Sequence, residues 1–161
     1  MDVRSHRRIQ GQRPRQGHEA VVKMKAHFVL TKPMSNPALI EVVDDDADVR
    51  RMLKLVLEAR GFKVRTHDGA HAYLAAEPTT ERRVMLLDVR MPKMSGVELQ
   101  ALMVKTGDRI PVIFMSGESL PHEKMAAQQS NAVAFLWKPF RTEALLDAVS
   151  QGLTLYDQQS G

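Results

Sequence analysis

Five polar side chains that could handle a metal ion and a phosphoryl group each follow a short apolar stretch of this chain. They are Asp44, Asp45, Asp88, Ser116 and Lys138. Carboxylates are ligands for hard divalent cations, and a hydroxyl and an ammonium group donate hydrogen bonds to phosphoryl oxygens. An acidic residue after an apolar run is by itself more often a loop or helix cap than a site. The chemistry therefore depends on whether the fold brings the five side chains together.

The stretch from Val84 to Gly96 shows how one of them is positioned. Four apolar residues, 84–87, lead directly to Asp88, and Pro92 and Gly96 then end the pattern. A run that is apolar at every position is typical of a strand buried on both faces, as in a parallel sheet. Open sheets of this kind bind ligands at the carboxyl ends of their strands, where Asp88 is predicted to lie.

Five predicted strands alternate with five predicted helices between residues 38 and 153. The strands are predicted at 38–43, 62–66, 84–88, 111–115 and 133–136. The helices are predicted to begin near Asp45 or Asp46, Ala70, Ser95, Leu120 and Thr142. Alternation with short loops favours an α/β fold, with a doubly wound five-stranded parallel sheet and helices on both faces.

The carboxyl ends of parallel strands lie on one edge of a sheet, so the three carboxylates, the hydroxyl and the ammonium group are expected to converge. Three neighbouring carboxylates repel one another, and burial increases the cost. A divalent cation relieves that repulsion, and oxygen ligands with room for water suit Mg²⁺. The sequence therefore predicts a phosphoryl-transfer site whose nucleophile could be a carboxylate.

Four motifs carry a resemblance to a known family. They are V-V-D-D-D-A-D-V-R at 42–50, L-L-D-V-R-M-P-K-M-S-G at 86–96, F-M-S-G-E at 114–118 and F-L-W-K-P-F at 135–140. In this order and at these intervals they resemble the receiver domain of bacterial two-component response regulators. The resemblance implies a flavodoxin-like strand order of 2-1-3-4-5 and a receiver domain over residues 36–153.

The resemblance also implies the roles of the acidic residues. Asp88 matches the phosphoacceptor, which takes a phosphoryl group from a histidine kinase or a histidine phosphotransfer protein. Asp45, Asp88 and the backbone carbonyl of Arg90 match the direct ligands of Mg²⁺, and Asp44 matches a ligand that acts through water. The domain is then a signalling module rather than an enzyme, although it promotes its own phosphorylation and dephosphorylation at Asp88.

The remaining matched residues belong to a conformational switch. Ser116 matches the hydroxyl that turns toward the phosphoryl group, and Phe135 matches the aromatic residue that moves inward with it. Lys138 matches the lysine that pairs with a phosphoryl oxygen, and its bond to Pro139 is cis in the family. The resemblance implies that helix four, strand five and helix five, including Trp137, form the surface that signals to an unknown protein partner, with a phosphorylation-dependent homodimer as a further possibility.

Charge is unevenly distributed along the chain. Residues 1–35 contain eight Lys and Arg against two acidic residues, a net of +6, which leaves fifteen basic and seventeen acidic residues, a net of −2, in the remainder. We interpret residues 1–35 as a basic, disordered tail and residues 154–161 as a short C-terminal tail. No apolar run reaches the ~18 residues of a membrane span, and there is no secretory signal or cysteine, so a cytoplasmic protein without membrane contact is expected.

Other functions fit the sequence less well. A haloacid dehalogenase-type phosphatase needs a second acid two residues after its nucleophile, where this chain has Arg90, and a flavodoxin-like electron carrier needs a hydroxyl-rich loop where this chain has three acids. A degenerate receiver would lack an acid or the lysine. Within the family, a stand-alone receiver and an excised receiver of a DNA-binding transcription regulator both remain open. The receiver itself is not expected to bind nucleic acid.

Overall fold

The computed structural model describes residues 37–117 and 120–161, and the predicted basic tail over residues 1–35 lies outside them. Ten elements alternate along the described chain. They are β1 (Leu39–Val43), α1 (Ala47–Glu58), β2 (Lys63–His67), α2 (Ala70–Leu74), β3 (Arg83–Asp88), α3 (Gly96–Thr106), β4 (Val112–Ser116), α4 (Pro121–Gln129), β5 (Ala134–Trp137) and α5 (Thr142–Ser160). All strand pairs are parallel, in the order β2-β1-β3-β4-β5, which confirms the predicted fold class and strand order.

Helices cover both faces of the sheet. Buried residues of α1 and α5 pack on one face, and buried residues of α2 and α3 pack on the other, where α4 contacts α3. Every residue of β1 and β4 is therefore buried, whereas the edge strands β2 and β5 are partly exposed. The apolar runs of β3 and β4, and of β1 apart from Glu41, reflect this two-sided burial.

Local signals fix where the helices that flank the site begin. Asp46 caps α1, because its side chain accepts hydrogen bonds from the backbone N–H groups of Asp48 and Val49. Ser95 and Glu98 form a reciprocal capping box at the start of α3. Each cap therefore marks the end of a loop that follows a strand of the site, the loop from β1 to α1 or the loop from β3 to α3.

The last helix extends further than the sequence suggested. Residues 154–160, predicted as part of a C-terminal tail, continue α5 and contact the loop before β3. Arg82 donates to Asp157 at 2.6 and 2.7 Å, and the Tyr156 hydroxyl donates to the carbonyl of Glu81 at 3.2 Å. The domain boundary at 153 stays a prediction. None of the helices in the described ranges combines the length and apolar character that crossing a membrane requires.

Candidate functional site

The carboxyl ends of four strands meet at one edge of the sheet. Val43 is in register with Leu87 on the neighbouring strand β3, so Asp44 follows β1 beside Asp88, the last residue of β3. Ser116 ends β4 in register with Trp137, and Lys138 follows β5. The strand order reverses between β1 and β3, which is the point where open sheets form a ligand crevice.

Three carboxylates form a cluster in this crevice. Asp44, Asp45 and Asp88 each place one carboxylate oxygen within 4.8 Å of the other two. Asp44 and Asp88 are buried, at 1% and 5% exposure, whereas Asp45 is exposed. The cluster thus has a closed inner side and an open outer side.

Lys138 neutralises part of this negative charge. Its Nζ donates to Asp44 Oδ2 at 2.6 Å and to Asp88 Oδ1 at 2.8 Å. Its backbone N–H donates to the Ser116 carbonyl at 2.8 Å, and the peptide bond to Pro139 is cis, as the resemblance implied. Although burial opposes the charged form, the hydrogen bonds with Asp44 and Asp88 raise the pKa of Lys138 above its usual value.

Burial dominates the electrostatics of Asp88. Desolvation, supported by the negative charges of Asp44 and Asp45, raises the pKa of Asp88 to about 6, although the hydrogen bond from Lys138 acts in the opposite direction. A carboxylate whose charge is poorly compensated favours any ligand that supplies positive charge beside it.

The three consecutive acids after β1 have different partners. Asp44 Oδ1 accepts from the backbone N–H of Asp46 at 2.9 Å, and the Asp44 carbonyl accepts from Arg50 at 2.8 Å. Asp46 caps α1, and those backbone hydrogen bonds lower its pKa. The sequence left Asp45 and Asp46 as alternative caps, and the structure assigns the cap to Asp46. Asp45 is therefore the acid whose carboxylate joins the cluster from the solvent side.

Ser116 and Phe135 lie on neighbouring strands beside the cluster. Ser116 is 1% exposed, and its Oγ has no hydrogen-bond partner within the described part of the chain. Phe135 is half-buried on β5, with its ring centroid 6.4 Å from that of Phe114 and 4.6 Å from that of Trp137. A buried hydroxyl without a partner carries an energetic cost that a bound acceptor would relieve.

Arg90 makes a contact that the sequence did not reveal. Its side chain donates to both carboxylate oxygens of Glu123 on α4, each at 3.1 Å, and Glu123 also accepts from the backbone N–H of Leu120 at 2.9 Å. Because Arg90 follows β3, this ion pair joins the loop after Asp88 to the start of α4. No sequence pattern links positions so far apart in the chain.

Gly96 is a second residue whose role emerges only in three dimensions. A Cβ at this position would lie 2.2 Å from the carbonyl oxygen of Asp88. The backbone of Asp88 therefore occupies space that any other residue at position 96 would fill. The sequence identifies Gly96 only as a residue that ends the apolar pattern and closes the motif at 86–96.

A buried acid on β1, Glu41, contacts three basic side chains of the neighbouring strands. Glu41 is 0% exposed, accepts from Arg65 at 2.9 Å, and lies 2.9 Å from His67 Nε2, with Arg83 at 3.7 Å. Burial raises the pKa of Glu41, but the hydrogen bonds with His67 and Arg65 outweigh it and lower that pKa overall. The His67 carbonyl accepts from the backbone N–H of Asp44 at 3.2 Å, so the strand that carries Arg65 and His67 also pairs with the first residue of the acidic cluster.

The donor set fits a hard divalent cation. Two buried carboxylates and one exposed carboxylate offer oxygens at close range, and the open side leaves room for water or a phosphoryl oxygen. Mg²⁺ favours a few carboxylate ligands completed by water and phosphate. In the described ranges, this is the one group of three or more acidic or histidine side chains with such a geometry.

Comparison with known proteins identifies the family to which this domain is related. Residues 40–150 match the family described as response regulator receiver domain. The chain is 36% identical over 122 residues to the response regulator protein TmoT of Ectopseudomonas mendocina, which covers 76% of this chain and 56% of that protein. It is 35% identical over 112 residues to the transcriptional regulatory protein FixJ of Rhizobium meliloti, which covers 70% and 55% of the two chains.

Solved structures show the same relationship. The response regulator StyR superposes with a TM-score of 0.72 at 38% identity, over 77% of this chain and 63% of that one. FixJ-N superposes with a TM-score of 0.68 at 33% identity, over 74% of this chain and 95% of that one. The chain spans about half the length of the curated relatives it matches. The family match over residues 40–150 and these relatives, each more than 30% identical, show that the chain belongs to the response regulator receiver domain family.

Proposed function

We propose that this domain accepts a phosphoryl group on Asp88 from the phosphohistidine of a kinase or phosphotransfer protein, with Mg²⁺ bound beside it. The observation that carries the proposal is the acidic cluster itself, in which Asp44, Asp45 and Asp88 lie together with Lys138 hydrogen-bonded to two of them. The ionised form of Asp88 is disfavoured in this arrangement, because the cluster concentrates negative charge where burial increases its cost.

Each residue then has a chemical role. A carboxylate oxygen of Asp88 forms the bond to phosphorus as the P–N bond to the donor histidine breaks, and the electron pair of that bond returns to the imidazole. Asp45, Asp88 and the carbonyl of Arg90 would hold Mg²⁺, with Asp44 acting through water. The cation would neutralise charge on the phosphoryl oxygens. Lys138 donates to Asp88 before the reaction and would pair with a phosphoryl oxygen afterwards.

Signalling follows from the charge that phosphorylation adds. A phosphoryl group brings about −1.5 to −2 of charge into the acidic crevice, so groups that donate to it are drawn inward. Ser116 Oγ has no partner within the described residues and lies on β4, the strand that pairs with β3 beside Asp88. Its movement would open space for Phe135 and change the surface of α4, β5 and α5, which a protein partner or a second copy would recognise. The phosphoryl group shifts an equilibrium that already exists between two forms.

Replacing Ser116 with alanine should separate phosphorylation from switching. Ser116→Ala should leave Asp88 able to accept a phosphoryl group but weaken the conformational response, because the variant lacks the hydroxyl that connects the two. Trp137, the single tryptophan of the chain, is the reporter. The measurement is the change in its fluorescence when a small phosphodonor and Mg²⁺ are added to parent and variant. Equal changes, with both proteins shown to be phosphorylated, would mean that Ser116 does not couple the events.

The comparisons favour a second reading of the output. The relatives include a transcriptional regulatory protein, TdiR of Thauera aromatica, and this chain matches 53% of its length. We therefore also propose that the domain serves as the receiver of a transcription regulator, where the same surface would control a DNA-binding part. In either setting the receiver itself is not expected to contact nucleic acid. The test is to join the domain to such a part and to measure DNA binding with and without phosphodonor. DNA binding that depends on phosphodonor supports this reading, and DNA binding that does not respond to phosphodonor contradicts it.

A further inference from the structure

Three aromatic rings lie in a row on one face of the sheet. Phe114 on β4 is fully buried, Phe135 on β5 is half-buried, and Trp137 is 43% exposed. Phe135 and Trp137 are alternate residues of one strand, so their side chains share a face. The ring centroids of Phe135 and Trp137 are 4.6 Å apart, and those of Phe114 and Phe135 are 6.4 Å apart. Phe135 therefore has its closer aromatic contact on the solvent side.

A cation from α4 covers the outer end of this row. Lys124 Nζ lies 5.3 Å from the centroid of the Trp137 ring. This distance is within the range of a cation–π contact, for which tryptophan is the best partner. In the described ranges no carboxylate forms an ion pair with Lys124, so no ion pair competes with its contact to the Trp137 ring.

We propose that Trp137 and Lys124 act as a brace that holds Phe135 in its present position and thereby sets how readily the domain switches. The inference rests on the proposed function and adds a positioning role for two residues outside the phosphorylation site. Phe135 can move inward only by giving up its contact with Trp137. Trp137 cannot follow freely, because its backbone is in register with Ser116 in the sheet and its ring is covered by Lys124.

The brace has a measurable consequence for ligand affinity. A ligand that binds only the switched form has an apparent affinity equal to its intrinsic affinity multiplied by the fraction of molecules in that form. Removing contacts that favour the unswitched form therefore raises the apparent affinity for the ligand. Beryllofluoride with Mg²⁺, an analogue of the phosphoryl group on a carboxylate, is the probe.

The test uses the full chain and calorimetric titration with beryllofluoride in Mg²⁺. Trp137→Leu should bind the analogue roughly two- to tenfold more tightly than the parent, the range expected for loss of an aromatic pair. Trp137→Phe should retain part of the parent behaviour. Lys124→Gln should raise affinity roughly two- to fivefold. The matched control is Lys105→Gln, which removes an equivalent exposed charge from the last turn of α3 and should change nothing.

A double variant separates a brace from two unrelated effects. Because Lys124 is proposed to act through the ring, adding Lys124→Gln to Trp137→Leu should give no further gain. Both side chains are exposed, so each variant is expected to fold. Urea unfolding of each variant checks this. Unchanged or weaker binding in Trp137→Leu would overturn the brace, and additive effects would overturn the link to Lys124. Failure of the parent to bind the analogue at all would instead overturn the proposed function.

Discussion

Replacing Asp88 with asparagine is expected to abolish phosphorylation while leaving the domain folded. The amide keeps the shape of the side chain but lacks the nucleophilic carboxylate. Labelling by a small phosphodonor in Mg²⁺, followed by phosphate-affinity electrophoresis, measures the effect, and a loss of at least roughly a hundredfold is expected, well within the roughly millionfold loss that removal of a catalytic nucleophile can cause. Asp68→Asn is the matched control, because Asp68 also follows a strand of the sheet but is exposed and outside the acidic cluster. Label retained by Asp88→Asn at the level of the parent would contradict the assignment of Asp88 as the acceptor.

The same variant should also change the pH dependence of stability. In the folded protein without Mg²⁺, burial raises the pKa of Asp88 from 3.8 to about 6, so its protonated form stabilises the fold below about pH 4 and that contribution is lost as the pH rises through about 6. Asparagine carries no such loss. In a chelator, Asp88→Asn should therefore match the parent near pH 4 and exceed its free energy of unfolding by up to roughly 2 to 3 kcal/mol at about pH 8. Equal stability of the two proteins at the higher pH would contradict the described environment of Asp88.

Replacing Asp45 with alanine is expected to remove most of the response to Mg²⁺. In the parent, a cation that binds only the folded form stabilises it by mass action, by about 2.7 kcal/mol at a hundred times its Kd. Asp45 is exposed and contributes one oxygen to the cluster, so its loss should weaken binding without disturbing the core. The measurement is the melting temperature across a Mg²⁺ titration.

The neighbouring acid provides the control for this experiment. Asp46 caps α1 and is not part of the cluster, so Asp46→Ala should lower the melting temperature in the absence of Mg²⁺ yet keep the parent's Mg²⁺ response. Asp45→Ala should instead lose most of the Mg²⁺ response without a lower melting temperature in the absence of Mg²⁺. A Mg²⁺ response in Asp45→Ala as large as in the parent would place the metal ligands elsewhere.

Much of the fold could be predicted because the central strands are buried on both faces. Their apolar runs, broken only at Glu41 of β1, indicate the strands, and parallel pairing then places Asp44, Asp88, Ser116 and Lys138 at one edge. Boundaries were less accurate. The fourth strand was expected at 111–115 but spans Val112–Ser116, because Pro111 has no N–H to donate to the ladder and Ser116 remains within it.

Side-chain partners from distant elements could not be predicted. The ion pair of Arg90 with Glu123 and the contact of Lys124 with Trp137 depend on where α4 lies over the sheet, which no short-range pattern encodes. Glu41 gave a partial signal, since an acid within an apolar strand requires compensation. Its partners lie on β2 and β3, and alternation alone does not identify them.

The central claim is that Asp88 accepts one phosphoryl group in a reaction that depends on the metal held by the acidic cluster. Intact mass spectrometry of the parent chain after incubation with a small phosphodonor tests it most directly, with one sample in Mg²⁺ and one in excess chelator. The account predicts a mass increase of a single phosphoryl group in Mg²⁺ and none in chelator. No increase in Mg²⁺, or the same increase in both samples, would contradict it.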